Sequence, residues 1–420
     1  MKPKLLTTLQ SYSARLFIAD VVAGVTVAMV ALPLSIAIAI ASGAQPAAGL
    51  VTAVIGGLVV SALGGSRVQI GGPTGAFIVV VYGVIQQFGF DGLLLATLMA
   101  GILLVIGGLL KAGRLIALIP EAVIEGFTIG IAVIIAVSQL KDLLGESIAR
   151  MPADLVHILP SLWLARGTIN PSALAVGLGA ILLILALNRI AARLPGSIIA
   201  IAIASAAVAV LALPVETLHS RFGDLPNGLP MIALPPISLD RISQLLPSAF
   251  VIAFLAGVES LLSAMVADRM IGGAHRYNAE LLAQGAANIA SPLFGGLPAT
   301  GAIARTATNV RAGGRTPVAG IVHAGTILLV IVFAAPLAGY LAMPALAGLL
   351  MVTAWVMSEP HRWPERLRAR AGDRFLLFLT FALTVLSSLT VAIAVGTAVG
   401  LAQRLLRRDI PPADWSPPER

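Results

Sequence analysis

The chain alternates long apolar runs with short polar stretches over almost its whole length. Roughly 20 apolar residues in a helix cross a hydrocarbon core, so the longer runs are typical of transmembrane helices. Runs such as GLLLATLMAGILLVIGGLL lack the alternation of polar and apolar positions that strands of a membrane barrel show. The pattern predicts an all-α polytopic membrane protein with fourteen transmembrane segments: 20–41, 47–65, 71–87, 92–110, 118–140, 172–188, 195–213, 246–267, 278–291, 299–310, 316–334, 338–357, 374–387 and 390–406.

The cations between these segments recur in alternate loops. They are Lys2, Lys4 and Arg15; Arg67; Lys111 and Arg114; Arg189 and Arg193; Arg269 and Arg276; Arg311 and Arg315; Arg362, Arg366, Arg368, Arg370 and Arg374; and Arg404, Arg407 and Arg408. The intervening loops have few cations or balance them with acids. Basic loops stay on the cytoplasmic side of a membrane, so both termini are predicted to be cytoplasmic.

The composition supports a membrane protein and excludes several functions. Of 420 residues, 58% are hydrophobic and 11% charged, whereas soluble domains average about 25% charged residues. The absence of Cys excludes thiol chemistry, and the five His show no metal-ligand spacing. The net charge of +8 reflects basic cytoplasmic loops, so no nucleic-acid partner is expected. Without paired metal-binding Asp residues or a Ser/His dyad in the spans, we expect neither an enzyme nor a bound metal.

One short motif occurs twice. Residues 71–76 read GGPTGA and residues 295–302 read GGLPATGA, so Thr74-Gly75-Ala76 recurs as Thr300-Gly301-Ala302 after 226 positions. This offset maps the first predicted span onto the eighth and the third onto the tenth. Seven spans per half is an odd number, so the halves, 1–213 and 246–408, would have opposite topology. Inverted repeats of this kind build secondary transporters.

The residue types of the motif predict an extended half-span that leads into a half-helix. Pro suits the first turn of a helix, and Gly lets the backbone approach a ligand closely. Two opposed half-helices would direct free N–H groups and positive dipole ends at one small anion. The hydroxyls of Thr74 and Thr300 would either donate to that anion or cap the helices.

Two further residues lie close to the motifs. Arg305 follows the second copy, and a cation within a span usually faces an interior or a watery cavity. It would raise the positive potential at the anion site, or else extend to the cytoplasmic surface. Phe77 adjoins the first copy, where it would line a cavity or serve only in packing.

Glu259 is the most deeply placed acid in the sequence, within FLAGVESLLSAMVADR. An intramembrane carboxylate is a functional candidate by default, here for carrying a proton. Ser263 lies one turn further on the same face, so the two residues would alternatively coordinate Na⁺. In a purely structural role, a neutral Glu259 would tie two helices together.

Two long segments resemble the SulP anion transporters, the sulfate permease family. They are DVVAGVTVAMVALPLSIAIAIASGAQPAAGL with GGSRVQIGGPTGAF, and NAELLAQGAANIASPLFGGLPATGAIARTATNVRAGGRTPVAG. The resemblance covers roughly 15–408. It implies a core domain of spans 1–4 and 8–11 and a gate domain of spans 5–7 and 12–14. It further implies elevator-type movement of the core, no cofactor besides a coupling ion, contact with membrane lipid, and a homodimer in a bacterial inner membrane.

The resemblance also implies a substrate site between spans 3 and 10. The residues matching that site are Thr74, Gly75, Ala76, Thr300, Gly301, Ala302 and Arg305, with Leu34 and Ile38 of span 1 nearby. Glu259 and Ser263 match the position of the coupling ion, where members with Glu look proton-coupled.

The sequence departs from the family at three places. Leu34 replaces a common Gln, which removes a polar substrate contact, and Ser388 stands where many members have Asp. The tail 409–420 is too short and Pro-rich to form the STAS domain of most members, so none is expected in this chain.

These features predict a proton-coupled symporter of a small anion such as sulfate, bicarbonate or a small dicarboxylate. An anion uniporter or channel, and a proton-coupled nucleobase symporter on the same fold, remain as alternatives.

Overall fold

The computed structural model describes residues 2–113, 120–148, 152, 155–191, 195–387 and 389–406. The tail 409–420, Ser388 and the loop cations Arg114, Arg193, Arg407 and Arg408 lie outside these residues.

The structure is mostly helical, as predicted. The first half contains α1 (Lys4–Thr8), α2 (Ala14–Ala41), α3 (Pro46–Leu63), α4 (Ile78–Leu109), α5 (Glu121–Ser138), α6 (Leu140–Leu144), α7 (Leu155–Ala165), α8 (Pro171–Ile190), α9 (Gly196–Val210) and α10 (Leu218–Phe222). The second half contains α11 (Leu239–Ile271), α12 (Tyr277–Leu293), α13 (Ile303–Arg311), α14 (Val318–Ala338), α15 (Met343–Met357), α16 (Trp363–Arg368), α17 (Ala371–Leu386) and α18 (Leu389–Leu406). Two short strands join them, β1 (Gly71–Gly72) and β2 (Thr300–Gly301).

Within the described residues, seven helical stretches are long and apolar enough to cross a membrane. They are Ala14–Ala41, Pro46–Leu63, Gly75–Leu109, Glu121–Leu144, Pro171–Ile190, Leu239–Ile271 and Val318–Ala338. Shorter apolar helices cover Gly196–Val210 and Val391–Gln403. A multi-pass helical protein is thus confirmed, whereas the count of fourteen spans stays a prediction.

The predicted third and fourth spans form one helical run that is broken at Gly89. This residue has φ 73° and ψ 177° inside α4, so the helix cannot continue regularly through it. The break falls between the predicted segments 71–87 and 92–110. The chain therefore contains a short helix after the first motif and a longer helix after Gly89.

The two copies of the repeated motif pair with each other as antiparallel strands. Gly71 lies opposite Gly301, and Gly72 lies opposite Thr300. Continuing this register would place Pro73 opposite Ala299, and the 226-residue offset makes those two residues equivalent. The sequence predicted two extended segments within an all-α fold. The structure adds a two-stranded sheet to the predicted helical fold, and the hydrogen bonds of this sheet satisfy the extended backbone inside the bundle.

The helices pack in two groups. In the first group, α4 packs against α11 and α12, α14 packs against α2 and α3, and α13 packs against α2 and α11. In the second group, α5 packs against α15 and α17, α8 packs against α9 and α15, and α17 packs against α18. The groups meet where α2 contacts α9 and α15, and where α11 contacts α18.

Glycines allow the closest of these approaches. A Cβ atom on Gly101 of α4 would lie 2.7 Å from the backbone nitrogen of Ile289 in α12, and a Cβ on Gly285 would lie 2.8 Å from the carbonyl oxygen of Gly101. Helices inside membranes often associate through such small residues, since lipid offers no hydrophobic driving force between them.

Candidate functional site

The candidate site is the region where β1, β2 and the first turn of α13 meet. The backbone N–H of Ala302 donates to the carbonyl oxygen of Ile70 at 2.9 Å, which extends the strand pairing to the start of α13. Ile303 is 40% exposed and Ala304 is exposed as well, so this helix start borders open space. The helix N-terminus and its free N–H groups thus face an accessible region.

Arg305 extends from α13 into the protein rather than to a surface. Its side chain is 2% exposed, which is rare for an arginine. Nη2 donates to the carbonyl oxygen of Pro73 at 2.9 Å and to Oγ of Ser35 in α2 at 3.2 Å. A Cβ atom on Gly72 would collide with Nη1, so glycine is needed there for the guanidinium to lie on β1.

The guanidinium of Arg305 is incompletely paired within the described residues. It forms no ion pair with a carboxylate in that part of the chain, and Nε and Nη1 are buried without a hydrogen-bond partner. Buried polar groups are normally hydrogen-bonded, and a buried charge normally has a counter-charge. The unpaired donors of Arg305 are therefore suited to an anion.

Glu259 of α11 contacts the first copy of the motif. The hydroxyl of Thr74 donates to Oε2 of Glu259 at 2.8 Å, and both residues are partly exposed. The sequence predicted both residues at the site but not this bond between them. The carboxylate is bonded to the segment that leads into α4, so a change in its charge would affect that segment directly.

Ser263 bonds α13, the helix that follows the second copy, instead. Its hydroxyl lies 3.2 Å from the hydroxyl of Thr306 in α13, and Thr306 Oγ1 accepts the backbone N–H of Ile70 at 3.1 Å. Glu259 and Ser263 thus share one face of α11, as their spacing predicted. Glu259 bonds the first motif, and Ser263 bonds the helix after the second motif.

The two motif threonines differ in their bonds. Thr300 is fully buried, and its hydroxyl donates to the carbonyl oxygen of Ala256 at 3.0 Å. Thr74 precedes a 3₁₀ turn, Gly75–Phe77, without a side-chain capping bond, and the residue before α13 is Ala302. Neither hydroxyl caps a helix, so that alternative is wrong, and of the two only Thr74 has its hydroxyl near open space.

The remaining candidate residues lie at different depths. Leu34 is partly exposed, whereas Ile38 and Phe77 are each 2% exposed and belong to the hydrophobic core. Gly75 approaches the second group of helices, since a Cβ there would lie 3.1 Å from Sδ of Met357 and 3.5 Å from Cδ1 of Ile135. An alanine at Gly75 would therefore require Sδ of Met357 to shift by a few tenths of an ångström.

The sequence analysis missed Glu280, a fully buried carboxylate of α12. Oε2 accepts the backbone N–H groups of Gly65 and Ser66, while Oε1 accepts from Ser260 and Gln284, all at 2.9–3.2 Å. Four donors stabilise the ionised carboxylate in its buried position. The signal was present in the sequence, because Glu280, Gln284 and Asn288 follow one another at helical i, i+4 spacing.

Gln69 extends this cluster to the strand pair. Its Nε2 donates to Oγ of Ser260 at 2.9 Å and to the carbonyl oxygen of Ser260 at 3.1 Å. A Cβ on Gly301 would collide with that same Nε2. The cluster thus fixes the chain entering β1 against α11, one residue away from Glu259.

Asp20, also missed, joins the start of α14 to α2. The carboxylate is fully buried and accepts the backbone N–H groups of Arg315 and Thr316 at 2.9 and 3.2 Å. The hydroxyl of Tyr12 donates to it at 3.0 Å. Burial, with this bond to Asp20, raises the pKa of Tyr12 to about 12, so the phenol stays protonated and keeps donating.

Comparison with known proteins identifies the chain's relatives. A model of the sulfate permease family matches residues 17–380. The chain is 44% identical over 389 residues to the putative sulfate transporter YvdB of Bacillus subtilis, covering 92% of this chain and 73% of that protein. It is 32% identical over 394 residues to the bicarbonate transporter BicA of Picosynechococcus, covering 90% and 69%.

Solved structures give the same result. The transmembrane domain of a cyanobacterial BicA superposes with a TM-score of 0.81 at 30% identity, covering 93% of this chain and 98% of that one. A structure of the murine Solute Carrier 26 family member A9 anion transporter has a TM-score of 0.87 at 18% identity, covering 96% and 70%. The second likeness concerns the fold alone.

Proposed function

Because this chain belongs to the sulfate permease family of multi-pass membrane transporters, we propose that it is a secondary transporter of small anions. The candidate substrates are sulfate, bicarbonate and small dicarboxylates, bound between the two copies of the repeated motif. Relatives described as sulfate and bicarbonate transporters support this range. The proposal assigns anion binding to Arg305, ion coupling to Glu259 and an elevator-type movement to the two groups of helices.

The observation that carries the proposal is the guanidinium of Arg305. It is buried beside β1 and fixed through Nη2, while Nε and Nη1 lack partners within the described residues. An anion there would neutralise the buried cation and accept its free donors, with further donors available at the N-terminus of α13. A planar, neutral nucleobase would leave the charge of Arg305 uncompensated, so the nucleobase alternative is less well supported.

Glu259 is proposed as the proton-coupling residue. Thr74 donates to it, and Thr74 lies in the segment that enters the anion site. Protonation would remove the carboxylate charge and weaken this charge-assisted bond, which would link proton binding to the position of that segment. Na⁺ is the alternative coupling ion, with the carboxylate of Glu259 as a ligand. The hydroxyl of Thr74 would replace that of Ser263 as the second ligand, because Thr74 bonds Glu259 whereas Ser263 bonds Thr306.

An elevator-type movement is proposed for the two groups of helices. The first group would be the core domain and carry the site, and the second would be the gate domain. In support, the two strands and α13 pack with the first group, and Gly75 is close to Ile135 and Met357 of the second. The register of β1 and β2, symmetric about Pro73 and Ala299, supports an inverted repeat. We further propose a homodimer in the bacterial inner membrane, with both termini cytoplasmic.

Flux measurements in proteoliposomes test the function. Radiolabelled sulfate, bicarbonate, fumarate and uracil are offered in turn, with a pH-sensitive dye inside the vesicles. We expect anion uptake with acidification of the lumen, and loss of the acidification in Glu259→Gln. Glu365→Gln is the matched control, because the side chain of Glu365 is 76% exposed in a loop helix.

Other outcomes separate the alternatives. Anion flux without proton movement, unchanged in Glu259→Gln, would favour a uniporter or channel and give Glu259 a structural role. Acidification that persists in Na⁺-free buffer would identify the proton as the coupling ion. Uptake that requires Na⁺ would identify Na⁺ instead. Uptake of uracil alone would contradict anion transport.

A further inference from the structure

His323 is a buried titratable residue that the proposed mechanism does not yet use. It lies in α14, is fully buried, and neither ring nitrogen has a hydrogen-bond partner within the described residues. Its ring faces α3, where a Cβ on Gly57 would lie 3.7 Å from Cδ2 of His323. A neutral histidine carries one N–H donor and one nitrogen acceptor, so both functions are left unused here.

This histidine lies directly behind β1. A Cβ on Gly57 would lie 3.2 Å from the carbonyl oxygen of Gly71, so one residue of α3 contacts both the strand and the histidine. The next residue of that strand, Gly72, lies against Nη1 of Arg305. His323 and Arg305 thus lie near consecutive residues of β1: His323 reaches Gly71 through Gly57, and Arg305 lies against Gly72.

Other unpaired polar atoms lie in the same region. Ser61, one turn after Gly57, is 4% exposed, and its Oγ has no partner within the described residues. A Cβ on Gly320, one turn before His323, would collide with that Oγ. Nε and Nη1 of Arg305 are unpaired beside the same strand. Buried groups of this kind are usually bridged by ordered water.

The charges that face His323 are few. Helix α3 contains no titratable residue. On α2, Arg15 and Asp20 lie near the N-terminal end, and Asp20 is already bonded to Tyr12, Arg315 and Thr316. On α13, Arg311 is exposed, which leaves Arg305. A protonated His323 would therefore add a second buried cation near Arg305. In the absence of a bound anion, Arg305 has no counter-charge within the described residues.

We propose that His323 is a second proton-binding residue of the anion site, and that it takes up a proton from water when an anion binds beside Arg305. The inference rests on the proposed function, since it requires an anion at this position. The bound anion removes the repulsion between the two cations, and the imidazolium then compensates a second negative charge. Anion binding and proton binding at His323 strengthen each other, as linkage requires. A divalent anion gains more from this arrangement than a monovalent one.

Histidine NMR on the purified full chain in lipid nanodiscs tests this directly. The chain has five histidines, so ring-¹⁵N labelling gives few signals, and His323→Gln assigns the relevant one. Sulfate binding is measured separately by equilibrium dialysis. We expect saturating sulfate at constant pH to move the His323 nitrogens from neutral towards imidazolium shifts. The signal of His219, whose side chain is 62% exposed, should stay unchanged.

A second measurement, the sulfate affinity at two pH values, does not depend on assigning the NMR signal of His323. Wild-type protein should bind sulfate about five-fold or more tightly at pH 5.5 than at pH 8, the lower end for coupled sites. His323→Gln should reduce this ratio while Glu259 remains in place. Sulfate binding that leaves the His323 signal neutral would overturn the inference but not the anion site. Failure of sulfate, bicarbonate and fumarate to bind at all would overturn the proposed function and this inference together.

Discussion

At the scale of single residues, the buried charged side chains in and around the site differ in how many hydrogen-bond partners they have. Glu280 has four donors around its two oxygens, whereas Arg305 has partners for only one of its three nitrogens within the described residues. Complete pairing is typical of a residue that stabilises the fold, and incomplete pairing in a region next to open space is typical of a ligand site. This contrast is the reason for assigning the two residues different roles.

Replacing Arg305 by glutamine should abolish anion binding and transport. Glutamine fills much of the same space but removes the charge and the fork of donors. We expect sulfate affinity to fall by at least about a hundredfold, as for loss of a buried charged hydrogen-bonding partner. Arg311→Gln is the control on the same helix, since Arg311 is exposed. Equilibrium dialysis gives the affinities, and equal losses in both variants would contradict a specific role for Arg305.

Replacing Glu280 by alanine should destabilise the protein without a direct effect on anion chemistry. The change leaves two backbone N–H groups and two side-chain donors unpaired in a buried region, which costs about 3 kcal/mol or more. Thermal unfolding in detergent should show a clearly lower Tm for Glu280→Ala and a smaller change for Glu280→Gln. An unchanged Tm in both variants would contradict the structural role.

The sequence identified Arg305 and Glu259 because each is a charge within an apolar run. It did not distinguish Thr74 from Thr300, since their motifs are alike and the difference comes from a carbonyl of α11 that only Thr300 reaches. It did not predict the proximity of His323 to Arg305, because that depends on how α14 packs against α3. Single residues can be selected from a sequence by their cost of burial, but their partners depend on tertiary packing.

At the scale of helices and strands, the residue types of the motifs predicted their extended conformation. The pairing of β1 with β2 depends on the tertiary structure. Gly and Pro predicted that each motif is extended and leads into a helix, and β1 and β2 are extended as expected. The antiparallel bonding of Gly71 and Gly72 to the second motif was not predicted, because no sequence pattern connects strands of two residues. Gly89 alone interrupts α4, and the predicted gap between the third and fourth spans reflects it.

The contact between α4 and α12 should fail if a side chain replaces Gly101. A Cβ there meets backbone atoms of Gly285, Asn288 and Ile289 at 2.7–2.8 Å, and backbone cannot rotate away as a side chain can. We expect Gly101→Val to lower the yield of folded protein in size-exclusion chromatography and to lower its Tm. Gly83→Val is the matched control on the same helix, because a Cβ at Gly83 has no atom within 4 Å. Similar behaviour of both variants would contradict close packing at Gly101.

At the scale of the whole molecule, the decisive question is whether the two groups of helices move against each other. An apolar cavity of about 530 Å³ lies where they meet, lined by residues of α2, α3 and α14 on one side and of α9 on the other. Such a cavity leaves few atoms to resist sliding, whereas the glycine contacts inside the first group hold its helices closely together. This difference in packing is the reason for proposing that the first group moves as a unit.

Cross-linking across this cavity tests the movement, and the absence of native Cys makes the chain suitable. Ile36→Cys in α2 with Ala206→Cys in α9 joins the two groups, whereas Leu50→Cys in α3 with Ala334→Cys in α14 joins two helices of the first group. Both pairs line the same cavity, so a flexible bis-thiol reagent has similar access to each. If the groups move, cross-linking the first pair should stop sulfate uptake and a cleavable linker should restore it on reduction, while the second pair should keep most of its activity. Full uptake in a protein cross-linked between the groups would contradict an elevator mechanism, because the substrate would then cross without relative movement of the helices that carry the site.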